Sequence, residues 1–463
     1  MAKHTKIVAT IGPKTESEEM LTRLIEAGLN VMRLNMSHGD HAEHLARIEN
    51  GRRVAAALDK PVAILQDLAG PKIRTGIYKT ERITIEEGAA LTLTTEECVG
   101  SPERIYVNYP KLPEEVRSGS VIMLDDGKKK LEVVAVEGSE IHCRVIVGGE
   151  LKQRRGVNVP GAYLSIDTIT PKDREDLAFG VKNGVDMVAL SFVRRPQDVI
   201  DLRAVLKELG APHIQIISKI ETQEAIENLD EVLAVSDGAM VARGDLAIEI
   251  PAEEVPRRQK EIIRKCNELG KPVITATQLL ETMIYSPVPT RAEISDVANA
   301  VFDGTDAVML SEETTLGAYP VEAVETLARI AAEAEKTSPA LTGASVSDTI
   351  TKTVAEAAAD LGVVAIVAPT ESGATARGVA RFHPHCPIVA LTPSASTMRQ
   401  LALSKGVEAH AIHRLSSLDE TLSFIPNFLK EKEYAKEGDM IIVTAGLRAG
   451  ESGATNLMLV IRV

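Results

Sequence analysis

Lys219 and Glu221 stand two residues apart in a short apolar run, so on a strand both face the same way. Asp245 closes a second such run, directly after Gly244. An ammonium and two carboxylates from neighbouring strands suit Mg2+, which takes one or two carboxylates and completes its shell with water and ligand oxygens. The plain alternative is an ion network on the rim of the fold. Glycine at 244 lets a backbone N–H come close to a ligand carboxylate. Arg33, Asn35 and Ser37 alternate onto one face of the run 29–37. A guanidinium and two oxygen-bearing groups fit phosphate and a cation, or else a surface arginine and a helix-capping serine. His38, followed by Gly39-Asp40, either reaches a ligand or only opens the next helix. Asp67, Lys72 and Arg74 gather around Gly70-Pro71, as ligand groups or as ordinary hinge chemistry.

These residues need elements to position them. Eight short runs, rich in Val and Ile, cover 6–12, 29–37, 61–68, 186–192, 213–221, 238–246, 272–278 and 306–314. Most are too short for helices and most are followed by a helix-like stretch. Seven carry a polar or charged residue within their last two positions. Eight such βα units predict a (β/α)8 barrel of the TIM type, whose active site lies at the C-terminal ends of its strands. Thr170-Pro171 and Thr290-Arg291-Ala292-Glu293 are helix starts.

The barrel pattern breaks after the third run. From 70 to 163 the chain alternates in short strands punctuated by Glu87-Gly88, Asp126-Gly127, Glu137-Gly138 and Gly148-Gly149. This predicts a small inserted β-barrel, placed as a lid over the catalytic face. The predicted organisation is barrel 1–69, lid 70–163, barrel 164–338 and a C-terminal α/β domain 339–463, joined by a linker around KTSPALTGASVS. The apolar content of 44% predicts a globular chain, and 3% aromatics with no Trp leave its core to aliphatic residues. A net charge of −14 argues against nucleic acid as the main partner. The four cysteines form no CxxC pair, so zinc is not expected and reduced thiols are. No apolar stretch reaches the ~18 residues of a membrane span, and a soluble cytoplasmic protein is the expectation.

The segments KIVATIGPKTES, VMRLNMSHGD, AGPKIRTG, ISKIET, MVARGDLAIEIP, ITATQLLETM, PTRAEISDVANAV and DGTDAVMLSEET occur in order, and together the chain resembles the pyruvate kinases. The resemblance implies phosphoryl transfer from phosphoenolpyruvate to ADP, giving pyruvate and ATP in glycolysis. It implies Mg2+ held by Glu221 and Asp245, a second Mg2+ with the nucleotide, and Mn2+ as a substitute. By the same resemblance Gly244 and Asp245 hold the substrate carboxylate through their N–H groups. Lys219, assisted by Arg33, stabilises the migrating phosphoryl group. Thr277, with Ser311 and Glu313 behind it, belongs to the route that protonates the enolate. Arg33, Asn35, His38 and Arg74 line the ADP phosphates, and Asp125 on the lid covers the nucleotide. A homotetramer and a phosphorylated effector are implied as well.

Asn35, Ser37, Asp67 and the Leu68 carbonyl correspond to a monovalent cation site. In members that need K+ a Glu stands where this chain has Lys72, and Leu68-Ala69 replaces Thr-Lys. A lysine ammonium is itself a compact monovalent cation. Activity without K+ is therefore expected, Lys72 standing in for the ion. Glu312 replaces a more familiar Gly, and Arg155 stands at a lid position where Lys is common. Thr370, Ser372, Gly373 and Thr375 resemble the family's effector loop, with Arg448, Gly453 and Thr455 as the facing half. Glu371 inside that loop, and Ala374 where other members can have Arg, favour a monophosphate over a bisphosphate. A metal-dependent pyruvate aldolase or lyase would need neither Lys219 nor the Arg33–Arg74 pair. A catalytically weak effector-binding paralogue predicts losses at catalytic positions that this chain has kept.

Overall fold

The computed structural model describes residues 3–337, 345–414, 417–446 and 455–463. Each of the eight runs holds a strand: β1 (Lys6–Thr10), β2 (Val31–Asn35), β3 (Ala63–Asp67), β4 (Met187–Leu190), β5 (Gln215–Ile220), β6 (Gly238–Ala242), β7 (Val273–Ala276) and β8 (Ala307–Leu310). They pair in parallel around a closed barrel, β8 returning to β1. Alternation divides each strand between two cores. Val8, Val31, Leu65, Met187, Met240 and Met309 fill the barrel interior. Ile7, Met32, Ile64, Val188 and Val241 face the surrounding helices. Each such buried side chain stabilises the fold by ~1.5–3 kcal/mol before entropy is counted.

A fourfold clasp sets the register at the N-terminal ends of the strands. Asn30, Asp186, Asp237 and Asp306 immediately precede β2, β4, β6 and β8. Their side chains accept the N–H groups of Ile7, Ile64, Ile216 and Val273 at 3.0, 2.8, 2.8 and 3.1 Å. The N–H of each clasping residue returns to the carbonyl of the residue it holds. The barrel is thus fastened in four pairs of strands. Helices start where their caps direct: Thr170 and Thr290 each form a capping box, with Asp173 and Glu293.

Between β3 and β4 the insertion forms a six-stranded and a two-stranded sheet that share one apolar core, from Ile73 to Val159. Enclosure comes from the packing of the two sheets; their ladders do not join into one continuous ring. Its tip is a tight turn with Asp125, Asp126 and Gly127 all in the left-handed region, at φ 53, 55 and 80°. The tip lies over the helix Arg243–Glu249, where Asn158 donates to Glu249 at 3.3 Å. Arg194 grips the chain returning to the barrel, donating to the carbonyls of Leu164 and Ile166 and to Thr168 Oγ1.

The C-terminal unit is a five-stranded sheet in the order β11-β10-β9-β12-β13. Its strands are β9 (Ala365–Pro369), β10 (Ile388–Thr392), β11 (Val407–Ala411), β12 (Met440–Ala445) and an antiparallel β13 (Leu457–Arg462). It docks on the N-terminal face of the barrel. Ala402 and Leu403 join the barrel's inner core. Two of the clasping residues also reach across: Asp186 pairs with Arg399 at 2.7 Å, and Asp306 accepts the Lys405 N–H at 3.0 Å. Part of the predicted linker lies outside the described residues.

Candidate active site

The strand ends bring Arg33, Asp67, Ser191, Lys219 and Glu221 into one buried cluster. Lys219 Nζ donates to Ser191 Oγ at 2.7 Å and lies 3.3 Å from Glu221 and 3.6 Å from Asp67. Ser191 Oγ passes its own proton to the Leu68 carbonyl at 2.7 Å. Arg33 is held by Asp67 at 2.7 Å and by Thr10 at 2.8 Å, while its Nη2 makes no hydrogen bond among the described residues. Burial alone would lower the Lys219 pKa, but Asp67, Glu221 and Asp245 outweigh it and raise it. Burial pushes Asp67 up, yet Lys219, Arg33 and Lys72 bring it below the ordinary carboxylate value. Glu221 is fully buried, and burial with Asp245 nearby lifts it to about 7 despite Lys219.

The two carboxylates expected to hold a divalent ion fit that task. Glu221 Oε1 accepts the Phe192 N–H at 2.8 Å, whereas its buried Oε2 makes no hydrogen bond among the described residues and faces the Lys219 ammonium at 3.3 Å. The Asp245 side chain makes no hydrogen bond or ion pair among the described residues. No group of three or more His, Cys, Asp or Glu among them is arranged as a metal cage. That is the donor set of Mg2+, which leaves most of its shell to substrate and water.

Thr277 directly follows β7 with φ +68° and precedes Gln278 at +54°. Such a backbone costs ~1–3 kcal/mol per residue and persists only where its surroundings enforce it. Thr277 Oγ1 donates to the Ala276 carbonyl at 2.7 Å and accepts the Gly244 N–H at 2.9 Å. The Gly244 N–H assigned to the substrate carboxylate is therefore engaged by Thr277, because Arg243–Glu249 turns helical at once and points it there. Arg243 holds the same corner, donating to the Ala276 and Thr277 carbonyls at 3.1 and 2.6 Å. Glu313 is not joined to Thr277. Its oxygens accept the N–H groups of Ser311 at 2.7 Å and Leu280 at 3.3 Å, so it braces the backbone at the end of β8, and Ser311 takes part through its amide.

A cleft of about 410 Å³ opens between the strand ends and the lid. His38, Lys72, Arg74, Asp126, Arg154, Arg155, Asp245 and Glu312 line it. His38 reaches the cleft, and the next helix begins only at His41, capped by Asp40. Burial, then Lys72, Arg74 and Arg33, lower the His38 pKa. Asp125 pairs with Arg155, itself on the cleft wall, at 3.4 Å, and Asp126 rather than Asp125 lines the cleft. Lys72 makes no ion pair within 4 Å among the described residues, but it stands in the field of Lys219, Asp245, Arg74 and Glu221. Of the residues expected at a monovalent cation site, Asp67 and the Leu68 carbonyl are engaged by Arg33 and Ser191, and Asn35 accepts the Ser37 N–H at 3.1 Å.

At the loop expected to bind an effector, Gly373 takes φ +82° and donates to Thr370 Oγ1 at 3.0 Å. Thr375 meets Thr455 hydroxyl to hydroxyl at 3.0 Å, bringing the two halves together. Arg414 pairs with Glu371 at 3.0 Å and offsets its charge. Arg448 and Gly453 lie outside the described residues. The sequence placed Ser191 at a strand end and Asp125-Asp126-Gly127 on the lid, but it gave Ser191 no role and did not separate Asp126 from Asp125. Arg243 and Glu249 it missed, and these become visible only when the strand ends and the lid converge.

Comparisons with known proteins agree with this geometry. The family model described as pyruvate kinase, barrel domain, matches residues 2–324, and that described as pyruvate kinase, alpha/beta domain, matches 348–461. The chain is 49% identical to the pyruvate kinase of Geobacillus stearothermophilus and 50% identical to that of Bacillus licheniformis, in each case over 99% of this chain and 80% of the relative. It superposes on the crystal structure of a pyruvate kinase from Cryptosporidium parvum with a TM-score of 0.92 at 37% identity, covering 99% of this chain and 96% of the other. A barrel with a lid and a C-terminal α/β unit, matched by family over both parts, makes this chain a phosphotransferase that belongs to the pyruvate kinase family.

Proposed function

We propose that the chain transfers the phosphoryl group of phosphoenolpyruvate to ADP, yielding pyruvate and ATP in glycolysis, with Mg2+ required and K+ dispensable. The observation that carries this is the buried Lys219, set between Glu221 and Asp67 with Ser191 fixing its direction. Glu221 and Asp245 would hold Mg2+, or Mn2+ in its place, and the bound ion supplies positive charge to the enolate and phosphoryl oxygens. Lys219 and the free Nη2 of Arg33 stabilise charge on the phosphoryl group in flight. Phosphoryl transfer asks little covalent chemistry of a protein, so placing these cations is most of the catalysis. The Thr277 hydroxyl, with water, carries a proton to the enolate carbon. His38, Asn35 and Arg74 attend the nucleotide phosphates and a second Mg2+. The insertion at 70–163 closes over them and keeps water out.

Lys72 supplies the monovalent charge. Its charge helps hold the Asp67 carboxyl below its ordinary value, and the engagement of Asp67 and Leu68 by protein groups supports this reading. The enzyme should run at near-full rate in K+-free buffer with tetramethylammonium holding ionic strength. Lys72→Glu should lower that rate and make it respond to K+. A hundredfold gain on adding K+ to the unmutated enzyme would overturn the reading. The enzyme is expected to be a cytoplasmic homotetramer, and no helix among the described residues is long and apolar enough to cross a membrane. The loop 370–375 binds a sugar or nucleoside monophosphate as activator. Selective activation by a bisphosphate at micromolar concentration would refute that assignment.

A further inference from the structure

We propose that Arg243 is the positioning residue of the proton-delivery step: its guanidinium clamps both carbonyls beside Thr277 and so aims the Thr277 hydroxyl. The proposal rests on the reading above that Thr277 stands on the proton route. Thr277 is β-branched, and L side chains of that kind avoid positive φ. Yet it and Gln278 adopt φ +68 and +54° in succession at the mouth of the barrel. Something must hold the chain there, and Arg243 is placed to do so. Its Nε donates to the Ala276 carbonyl at 3.1 Å and its Nη2 to the Thr277 carbonyl at 2.6 Å. One planar fork thus spans the two peptide planes that define the Thr277 torsions. A lysine could not reproduce this, since its ammonium is a point charge without a fixed plane.

The clamp is anchored from behind. Arg243 Nη1 pairs with Asp296 at 2.8 Å, from the helix Arg291–Phe302, and reaches Gln259 at 3.3 Å, from the helix Val255–Leu269. The side chain is 13% exposed, so these contacts are little diluted by water. The clamp also acts on the hydroxyl directly. The Ala276 carbonyl that receives the Thr277 proton at 2.7 Å is the one Arg243 Nε holds. A carbonyl oxygen has two lone pairs, so both donors are accommodated. Gly244 follows Arg243 in the chain, and its N–H completes the hydrogen-bonding of Thr277 Oγ1 at 2.9 Å. One residue therefore ties β6, which leads to Asp245, to the hydroxyl at the end of β7.

The test separates proton delivery from phosphoryl transfer. Exchange of pyruvate methyl hydrogens into D2O, followed by NMR with Mg2+ and inorganic phosphate present, reads the proton route alone. In each cycle a methyl proton leaves C3 to the enzyme and solvent, and a solvent deuteron returns to C3. Arg243→Lys should slow this exchange at least tenfold, while the KM for phosphoenolpyruvate changes less than twofold. Thr277→Ala provides the reference. If Thr277→Ala keeps its exchange rate, the underlying reading of Thr277 fails. If Thr277→Ala loses exchange and Arg243→Lys keeps it within twofold, the positioning role fails alone. In the double variant the two losses should not multiply, because both act through one hydroxyl. Multiplicative losses would overturn the proposal. Asp296→Ala removes the charged anchor and leaves Nη1 only Gln259 at 3.3 Å, and should slow exchange at least threefold with unchanged KM. Should Arg243→Lys fail to fold, Asp296→Ala decides by the same readings, and an unchanged exchange rate there refutes the clamp.

Discussion

Replacing Lys219 with Met keeps most of the side-chain volume and removes one charge from the centre of the site. Lys219 Nζ lies 3.3 Å from Glu221 and 3.6 Å from Asp67. At an effective dielectric of ~20 each attraction amounts to about 5 kcal/mol before desolvation is counted. Asp67 retains Arg33 at 2.7 Å, but Glu221 would keep only the Phe192 N–H. Removing one partner of a buried pair costs roughly 3–5 kcal/mol, so the variant should be less stable but folded. Losing a positioned donor at a developing charge costs ~2.7–4 kcal/mol in the transition state, a fall of about 10²–10³ in turnover. A coupled assay for pyruvate measures that fall, and exchange of the pyruvate methyl group into D2O should persist because it needs no charge on a phosphoryl group. Kinase turnover within threefold of the unmutated enzyme would show that Lys219 is only a structural ion-pair partner.

Ser191→Ala removes the 2.7 Å bond that directs Lys219, and should lower kcat by roughly 10–100-fold with little change in KM, the loss expected for a hydrogen bond to a charged group. Burial lifts the Glu249 pKa from 4.5 to about 6, so ionising it costs the folded state stability as pH rises through that window, and the cost is absent below it. Glu249→Gln keeps the acceptor for Asn158 and should therefore gain about 1–2 kcal/mol at pH 7.5 and almost nothing at about pH 3.5, read as a difference in Tm; equal Tm at pH 7.5 would contradict it. Arg399→Gln severs the 2.7 Å pair with Asp186 and, with Arg52 still holding that carboxylate, should leave the barrel folded but speed hydrogen exchange along the helix Ala395–Gln400. Unaltered exchange there would mean that the C-terminal unit is docked by its apolar contacts alone.

Much of the site was legible because strand period and barrel geometry act together. A residue at the end of a short apolar run in a βα repeat has one place to go, the C-terminal mouth. Lys219, Glu221, Asp67 and Arg33 followed that rule into one cluster. Asp125 did not reach the cleft. A turn with three successive left-handed residues swings Asp126 inward, and nothing in the pair Asp125-Asp126 says which of the two will face in. Glu313 was read as a partner of Thr277, yet backbone amides of Ser311 and Leu280 take both its oxygens. A buried carboxylate satisfies the nearest free donors, and those are set by how the loops after β7 and β8 turn.

The sequence by itself determined the eight strands, the inserted β unit, the C-terminal sheet and the helix starts, because apolar period, turn residues and caps act over a few neighbouring positions. It also determined which residue types stand at the strand ends. Only the tertiary structure decided how they are used. Among the described residues, the Glu221 oxygen left without a hydrogen bond beside Lys219, the Arg33 nitrogen left without one, and the grip of Arg243 on the strained Thr277 depend on atoms brought together from different strands and helices. Hydrogen bonds are won or lost over tenths of an ångström, a scale that spacing along a chain does not record.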